Sequence, residues 1–86
     1  MLEKLDDHPD DVGARLRRIR EMLGLNKRQF AERAAMTEQT YGSFENGKRP
    51  LSLDAAKKLR KTYNLTLDFM YFGKIDYLPH RITKEL

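Results

Sequence analysis

Apolar residues recur along this chain at helical spacing, in short runs separated by clear stop signals. Val12, Leu16, Ile19 and Leu23 fall at i, i+4, i+7 and i+11, one face of a first helix. Asp10 or Asp11 is placed to cap its start, and Gly24 to end it in a left-handed conformation. Asn26 and Gln29, three apart, form the signature of a capping box opening a second helix, about two turns long, with Phe30, Ala31 and Ala34 inward. Thr37 caps a third, from Glu38 to about Asn46, stopped by Gly47. Ser52 caps a fourth, with Leu53, Ala56, Leu59 and Tyr63 on one face, and Thr66 a short fifth that includes Phe69 and Phe72 and ends at Gly73. No useful β-alternation, internal repeat or low-complexity tract interrupts this pattern. The expected fold is all-α, a compact bundle of five short helices.

Length and composition narrow the class. Eighty-six residues suit one domain with one modest core, and the absence of cysteine excludes disulfides and thiolate metal sites. No apolar run approaches the ~20 residues that span a bilayer, and no signal-peptide pattern opens the chain, so a cytoplasmic location and no membrane partner are expected. The net charge of +4 is unevenly spread. Residues 1–12 sum to −4 and residues 62–86 to zero. Residues 13–61 hold thirteen Lys or Arg against five acids, a net +8. A basic domain behind an acidic arm points to a polyanion, with nucleic acid ahead of a membrane surface. Three segments follow: an acidic, flexible arm over 1–9, a basic helical domain over 10–73, and a C-terminal tail over 74–86 that contains Pro79. Phe69, Tyr71, Phe72 and Tyr77, with Ile75, Leu78 and Ile82, exceed what a small core needs. The tail is therefore a candidate segment for a homodimer, with folding back on its own monomer as the alternative.

The informative stretch is Lys27–Arg49, KRQFAERAAMTEQTYGSFENGKR. Counted from Lys27, apolar residues fall at the fourth (Phe30), eighth (Ala34), tenth (Met36), fifteenth (Tyr41) and eighteenth (Phe44) positions, and the small Ala31 at the fifth. Two short helices crossing steeply around a tight turn need this spacing, which is that of a DNA-binding helix-turn-helix. With Leu23-Gly24-Leu25-Asn26 before it, Thr37 opening the third helix and Phe44-Glu45-Asn46-Gly47-Lys48 closing it, the segment resembles the lambda-repressor and Cro-like group, the XRE family of transcriptional regulators. The resemblance covers about Val12 to Gly73. Two departures stand out. Ala35 occupies a turn position where the family commonly has Gly, at about 1 kcal/mol if left-handed. Lys27 stands where the family commonly has Gln.

The resemblance implies a lambda-repressor-like domain and a sequence-specific regulator of double-stranded DNA, acting as a repressor, with no cofactor and no catalysis. It assigns base reading to the exposed face of the third helix, at Glu38, Gln39, Gly42 and Ser43. Gln39 suits adenine and Glu38 a cytosine amine, while Gly42 lets DNA approach or leaves a base unread. Phosphate contacts are expected from Asn26, Lys27, Thr40, Asn46, Lys48 and Arg49. Asn26 and Thr37 also have a purely local role as caps, and Lys57, Lys58, Arg60 and Lys61 read as a solvated face. Arg17 or Arg18 could reach a phosphate. Arg20 and Glu45 match a family ion pair with a structural role. Lys27 and Glu38, opposite charges at adjacent helix starts, are expected to attract one another and so make an acidic base reader tolerable near DNA.

Other chemistries are poorly supported. Gly42 to Lys48 matches G-x-x-x-x-G-K, but Arg49 replaces the Mg²⁺-binding Ser or Thr and no strand precedes it. His8 and His80 lack neighbours at metal-ligand spacing, so no metal is expected. Two alternatives remain: an antitoxin that binds a toxin and represses its own promoter, and a protein-interaction module on the same fold. An RNA partner is disfavoured, because the aromatics of the basic segment, Phe30, Tyr41 and Phe44, are core candidates.

Overall fold

The computed structural model describes residues 8–75 and 78–84, with the side chain of Arg81 excepted. Five helices stand where the hydrophobic pattern puts them: α1 Pro9–Met22, α2 Lys27–Arg33, α3 Glu38–Glu45, α4 Leu53–Tyr63 and α5 Leu67–Phe72. A sixth, the single turn α6 His80–Thr83, was not anticipated in the tail. Pro79 sets its entry, and Leu78 and Ile82, four apart, drop into the core. Of the residues assigned to an acidic arm, 1–7 lie outside the described residues, as does Tyr77, while Pro9 is already helical.

Most of the helix ends follow local chemistry. Asn26 accepts from the Gln29 N–H at 2.8 Å while Gln29 Oε1 accepts from the Asn26 N–H at 3.0 Å, a closed capping box. Thr37, Ser52 and Thr66 each accept from the backbone N–H three residues on, at 3.0–3.1 Å. Gly24, Gly47 and Gly73 take positive φ after their helices. The start of α1 differs from expectation. Its cap is His8, whose Nδ1 accepts from the Asp10 N–H at 3.2 Å. Pro9 then occupies the first helical position, where it sacrifices no hydrogen bond, so Asp10 and Asp11 fall in the first turn and complement the macrodipole.

The core runs through every helix. Leu16, Ile19, Phe30, Ala31, Tyr41, Ala56, Leu59, Leu65 and Met70 are completely inaccessible to solvent. Phe30 is its hub: its ring stacks on Tyr63 (centroids 4.3 Å apart, 3° between planes) and tilts against Tyr41 at 5.0 Å. The Tyr63 hydroxyl donates to the Phe30 carbonyl at 2.7 Å, binding α4 to α2 by both ring and polar tip. The Tyr71 hydroxyl donates to the Leu51 carbonyl at 2.6 Å, and Arg15 Nη1 donates to the Met70 carbonyl at 3.3 Å near the end of α5. Two residues assigned to inward faces, Leu23 and Leu53, are instead exposed, and so is Phe72. Leu23 caps the end of α1, Leu53 begins α4 where Ala55 takes the buried position, and Phe72 lies in the last turn of α5.

Two backbone positions control how the helices meet. At Gly13, an added Cβ would lie 2.3 Å from the Glu45 carbonyl oxygen and 2.7 Å from that of Phe44. The main chains of α1 and α3 thus touch there with no side chain between them. The turn between α2 and α3 needs a left-handed residue, and Ala35 supplies it with φ +58°. Its carbonyl accepts from Lys58 Nζ at 3.3 Å. The expectation that alanine here is strained therefore holds.

Gly13→Ala should destabilise the fold by about 1–3 kcal/mol, because neither carbonyl can move without shifting a helix. Urea unfolding will check this, and a loss within error would mean that the contact can relax. Ala35→Gly should act in the opposite direction. Relief of the left-handed alanine outweighs the added freedom of the unfolded chain by about 0.5–1 kcal/mol. The midpoint of the same urea transition should rise.

Candidate nucleic-acid interface

The last residue of α3 is a fully buried acid. Glu45 has no solvent-accessible side-chain surface, and its carboxylate faces α1. Arg20 clasps it with two N–H groups, Nη2 to Oε1 at 2.9 Å and Nε to Oε2 at 3.0 Å. Arg20 is itself fixed, donating from Nη1 to the Leu25 carbonyl at 2.9 Å. Arg17, one turn earlier on α1, adds an Nε contact to Oε1 at 3.3 Å while half its side chain stays in solvent. Burial alone pushes the Glu45 carboxyl up, but the hydrogen bonds from Arg20, with help from Tyr41 and Arg17, hold it below its ordinary value. The Tyr41 hydroxyl lies in the field of the same carboxylate. Burial first, and then Glu45, push its titration far up, although among the described residues it is a buried polar atom without a well-formed hydrogen bond. Together with the Gly13 contact, this cluster sets the tilt of α3 against α1.

That anchoring leaves the opposite face of α3 to solvent. Glu38, Gln39, Gly42 and Ser43 line one open concavity of about 600 Å³, together with Lys27, Asn46 and Lys48. It has a lysine from the start of α2 and another from just beyond α3. Lys27 and Glu38 share its wall, but no ion pair within 4.0 Å joins them; the ion pairs formed among the described residues are elsewhere. Any help Lys27 gives to Glu38 therefore acts through space.

Three sequence-assigned residues stand outside the concavity. The Asn26 side chain is occupied by its capping box. Thr40 is tied to Thr37 twice, its N–H donating to Oγ1 at 3.1 Å and its hydroxyl accepting at 2.9 Å. Arg49 lies along the end of α3, with its guanidinium carbon 5.4 Å from the centroid of the Phe44 ring and its Nε donating to Ser43 Oγ at 3.1 Å. The Ser43 hydroxyl in turn donates to the Thr40 carbonyl at 2.6 Å. Its proton and one lone pair are committed, so it meets any incoming group as an acceptor. The backbone N–H groups of Lys48 and Arg49 both donate to the Ser43 carbonyl, leaving only their side chains for a partner.

Two short helices packed on one another, a tight turn at Ala35 and an exposed face on the second helix are the parts of one motif. The helix-turn-helix family profile matches residues 16–70. The chain belongs to the helix-turn-helix family. No curated protein and no solved structure matches it. This helix-turn-helix fold carries DNA-binding regulatory function in general, and XRE and Cro-like regulators fall within the same superfamily. Among the described residues, no group of three or more His, Asp or Glu side chains could hold a metal ion. No described helix is long and apolar enough to cross a membrane.

Sequence reading missed two features of this site. Gly13 looks like an unremarkable helix residue, yet it follows Val12 on the buried side, the one signal that it marks a close approach. Arg17, read above only as able to reach a phosphate, also supplements Arg20 on Glu45.

The clasp is open to a double-mutant cycle. Arg20→Leu should cost about 3 kcal/mol by leaving Glu45 buried with Arg17 alone, whereas Arg20→Leu with Glu45→Leu should cost clearly less than the two single losses together. Additive losses would remove the coupling. Because the folded-state titration of Glu45 is depressed, its stabilisation is complete above the ordinary value of 4.5 and disappears as pH falls through the lower folded value. The stability gap between the wild-type chain and the double variant should therefore narrow below about pH 4.5 in urea titrations.

Proposed function

We propose that this chain is a sequence-specific transcriptional regulator of the lambda-repressor and Cro-like type, which places α3 in the major groove of double-stranded DNA. The observation that carries this reading is the gathering of Glu38, Gln39, Gly42 and Ser43 in one concavity edged by Lys27 and Lys48. Gln39 offers an amide that pairs with adenine N6 and N7 together, and Glu38 accepts from a cytosine N4 amine. Ser43, limited to accepting, favours the amine of adenine or cytosine. Lys27 and Lys48 line the same concavity, and their ammonium groups would meet backbone phosphates. Asn26, Thr40, Asn46 and Arg49 are proposed as further phosphate contacts.

In this reading the protein is cytoplasmic and represses by occupying promoter DNA as a homodimer. The apolar surface available to a second copy is smaller than the sequence suggested. Leu78 and Ile82 are in the core and Tyr71 is half-buried, so Phe72 and Ile75 remain exposed for the contact.

Selection of binding sites from random DNA tests the whole reading: it should return one sequence, as two half-sites about one helical turn apart. A pool that stays random would remove DNA reading, and a single asymmetric half-site would remove the dimer. On the selected site, the log–log salt slope should be roughly −4 to −5 per monomer, from about four to six phosphates neutralised. Lys27→Gln should flatten that slope by about one contact and weaken all sequences alike. Glu38→Gln should instead shift the preferred base at one position from cytosine toward adenine, with a change in discrimination of about 1–3 kcal/mol. Unchanged base preference in the Glu38→Gln variant would mean that Glu38 reads nothing.

A further inference from the structure

Gly42 stands in the middle of α3, and nothing inside its own chain accounts for it. A Cβ placed there meets no atom within 4 Å, whereas at Gly13 it would strike two backbone carbonyls. Nor does φ require glycine, since the left-handed glycines are Gly24, Gly47 and Gly73. An interior helical glycine is a poorer choice for folding than alanine. In a helix of eight residues that weakness is not diluted by length. A demand for bare main chain at this position therefore comes from whatever α3 touches.

The surroundings indicate the shape of that object. Glu38 and Gln39 lie four and three residues before Gly42, and Asn46 lies four after, so on the helix surface they ring it. All line the same concavity. The result is a hollow with polar walls and a floor of main chain. That floor has little polar capacity to spare, because the Gly42 carbonyl already accepts from the Asn46 N–H at 2.9 Å. It suits an apolar knob about the size of one methyl. The major-groove edges of the four bases present donors, acceptors and one such knob, the 5-methyl group of thymine.

We propose that Gly42 is a specificity-determining residue that receives the 5-methyl group of one thymine in each half-site against its bare main chain. This inference rests on the DNA-reading role of α3 and adds to it a base that no side chain of the protein contacts by hydrogen bonding. A Cβ at position 42 and a methyl at thymine C5 would occupy the same space, so each should exclude the other.

The test pairs a methyl added to the protein with a methyl removed from the DNA. Wild-type chain and Gly42→Ala are titrated against the selected site and against copies in which each thymine in turn is replaced by deoxyuridine. The wild-type chain should lose about fourfold in affinity at one thymine per half-site, the worth of one buried methyl. Gly42→Ala should bind the thymine site about tenfold more weakly and recover when deoxyuridine stands at that same position. Its melting temperature should rise by about 2–8 °C, which separates lost affinity from lost folding. Gly42→Ala binding the thymine site as tightly as wild type, or responding equally to deoxyuridine at every position, would overturn the inference. Failure of the wild-type chain to select any sequence would overturn the DNA-reading role and this inference with it. A clean selection followed by no methyl coupling overturns this inference alone.

Discussion

The structure depends on the junction between α1 and α3, where a buried carboxylate and a missing side chain act together. Gly13 lets the two main chains touch, and that contact brings the end of α3 within reach of the guanidinium groups of α1. Glu45 then has its charge matched by Arg20 through two parallel hydrogen bonds and supplemented by Arg17. A carboxylate this deeply buried is tolerated only with such partners, so the geometry is demanding in both directions. If the helices separate, the charge is stranded; if Arg20 is displaced, the helices lose the reason for their angle. Every other element supports this joint from behind. The Phe30–Tyr63 stack holds α2 against α4, and Arg15 ties α1 to the end of α5.

The side chains that hold the fold and those that face the concavity are separate sets. Tyr41, Phe44 and Glu45 point inward from α3, while Glu38, Gln39 and Ser43 point away. An amphipathic helix of eight residues can make that division only if its orientation is fixed from outside, which the α1 clasp does. The face that lines the concavity is therefore already oriented. Even its weakest polar group, the Ser43 hydroxyl, is locked by Thr40 and Arg49. Little rotamer freedom is left there to be lost on binding.

Much of this was legible in the sequence, for identifiable reasons. The starts of α2, α3, α4 and α5 were marked by Asn26, Thr37, Ser52 and Thr66, residues whose side chains do one strong local thing. The ends of α1, α3 and α5 were marked by glycines followed by a change in pattern. The start of α1 was not legible because a histidine ring acts as the cap, an uncommon use that propensity does not flag. The turn α6 was hidden by its length, since four residues carry no periodicity. Leu23 and Leu53 show the limit of pattern alone: an apolar residue at either end of a helix can sit on the correct stripe and still overhang the core. At the site, spacing located the two short helices and the turn between them, and the family resemblance supplied Arg20 with Glu45. Contacts between main chains, such as that at Gly13, leave almost no trace in a one-dimensional pattern.

The open space around Gly42 has a consequence for how this protein can change. A substitution at 38, 39 or 43 alters a surface group with no share in the core, and one at 42 enters empty volume. Surface changes at 38, 39 or 43 usually alter stability by no more than about 0.5 kcal/mol, and loss of the helix-weakening glycine at 42 raises it. Such a chain can explore many reading faces while its scaffold stays the same. The reverse does not hold, because Gly13, Arg20 and Glu45 must change together or not at all. In lineages descended from this chain, target preference should drift quickly and the α1–α3 joint hardly move, so the joint, more than the reading helix, would reveal their common ancestry.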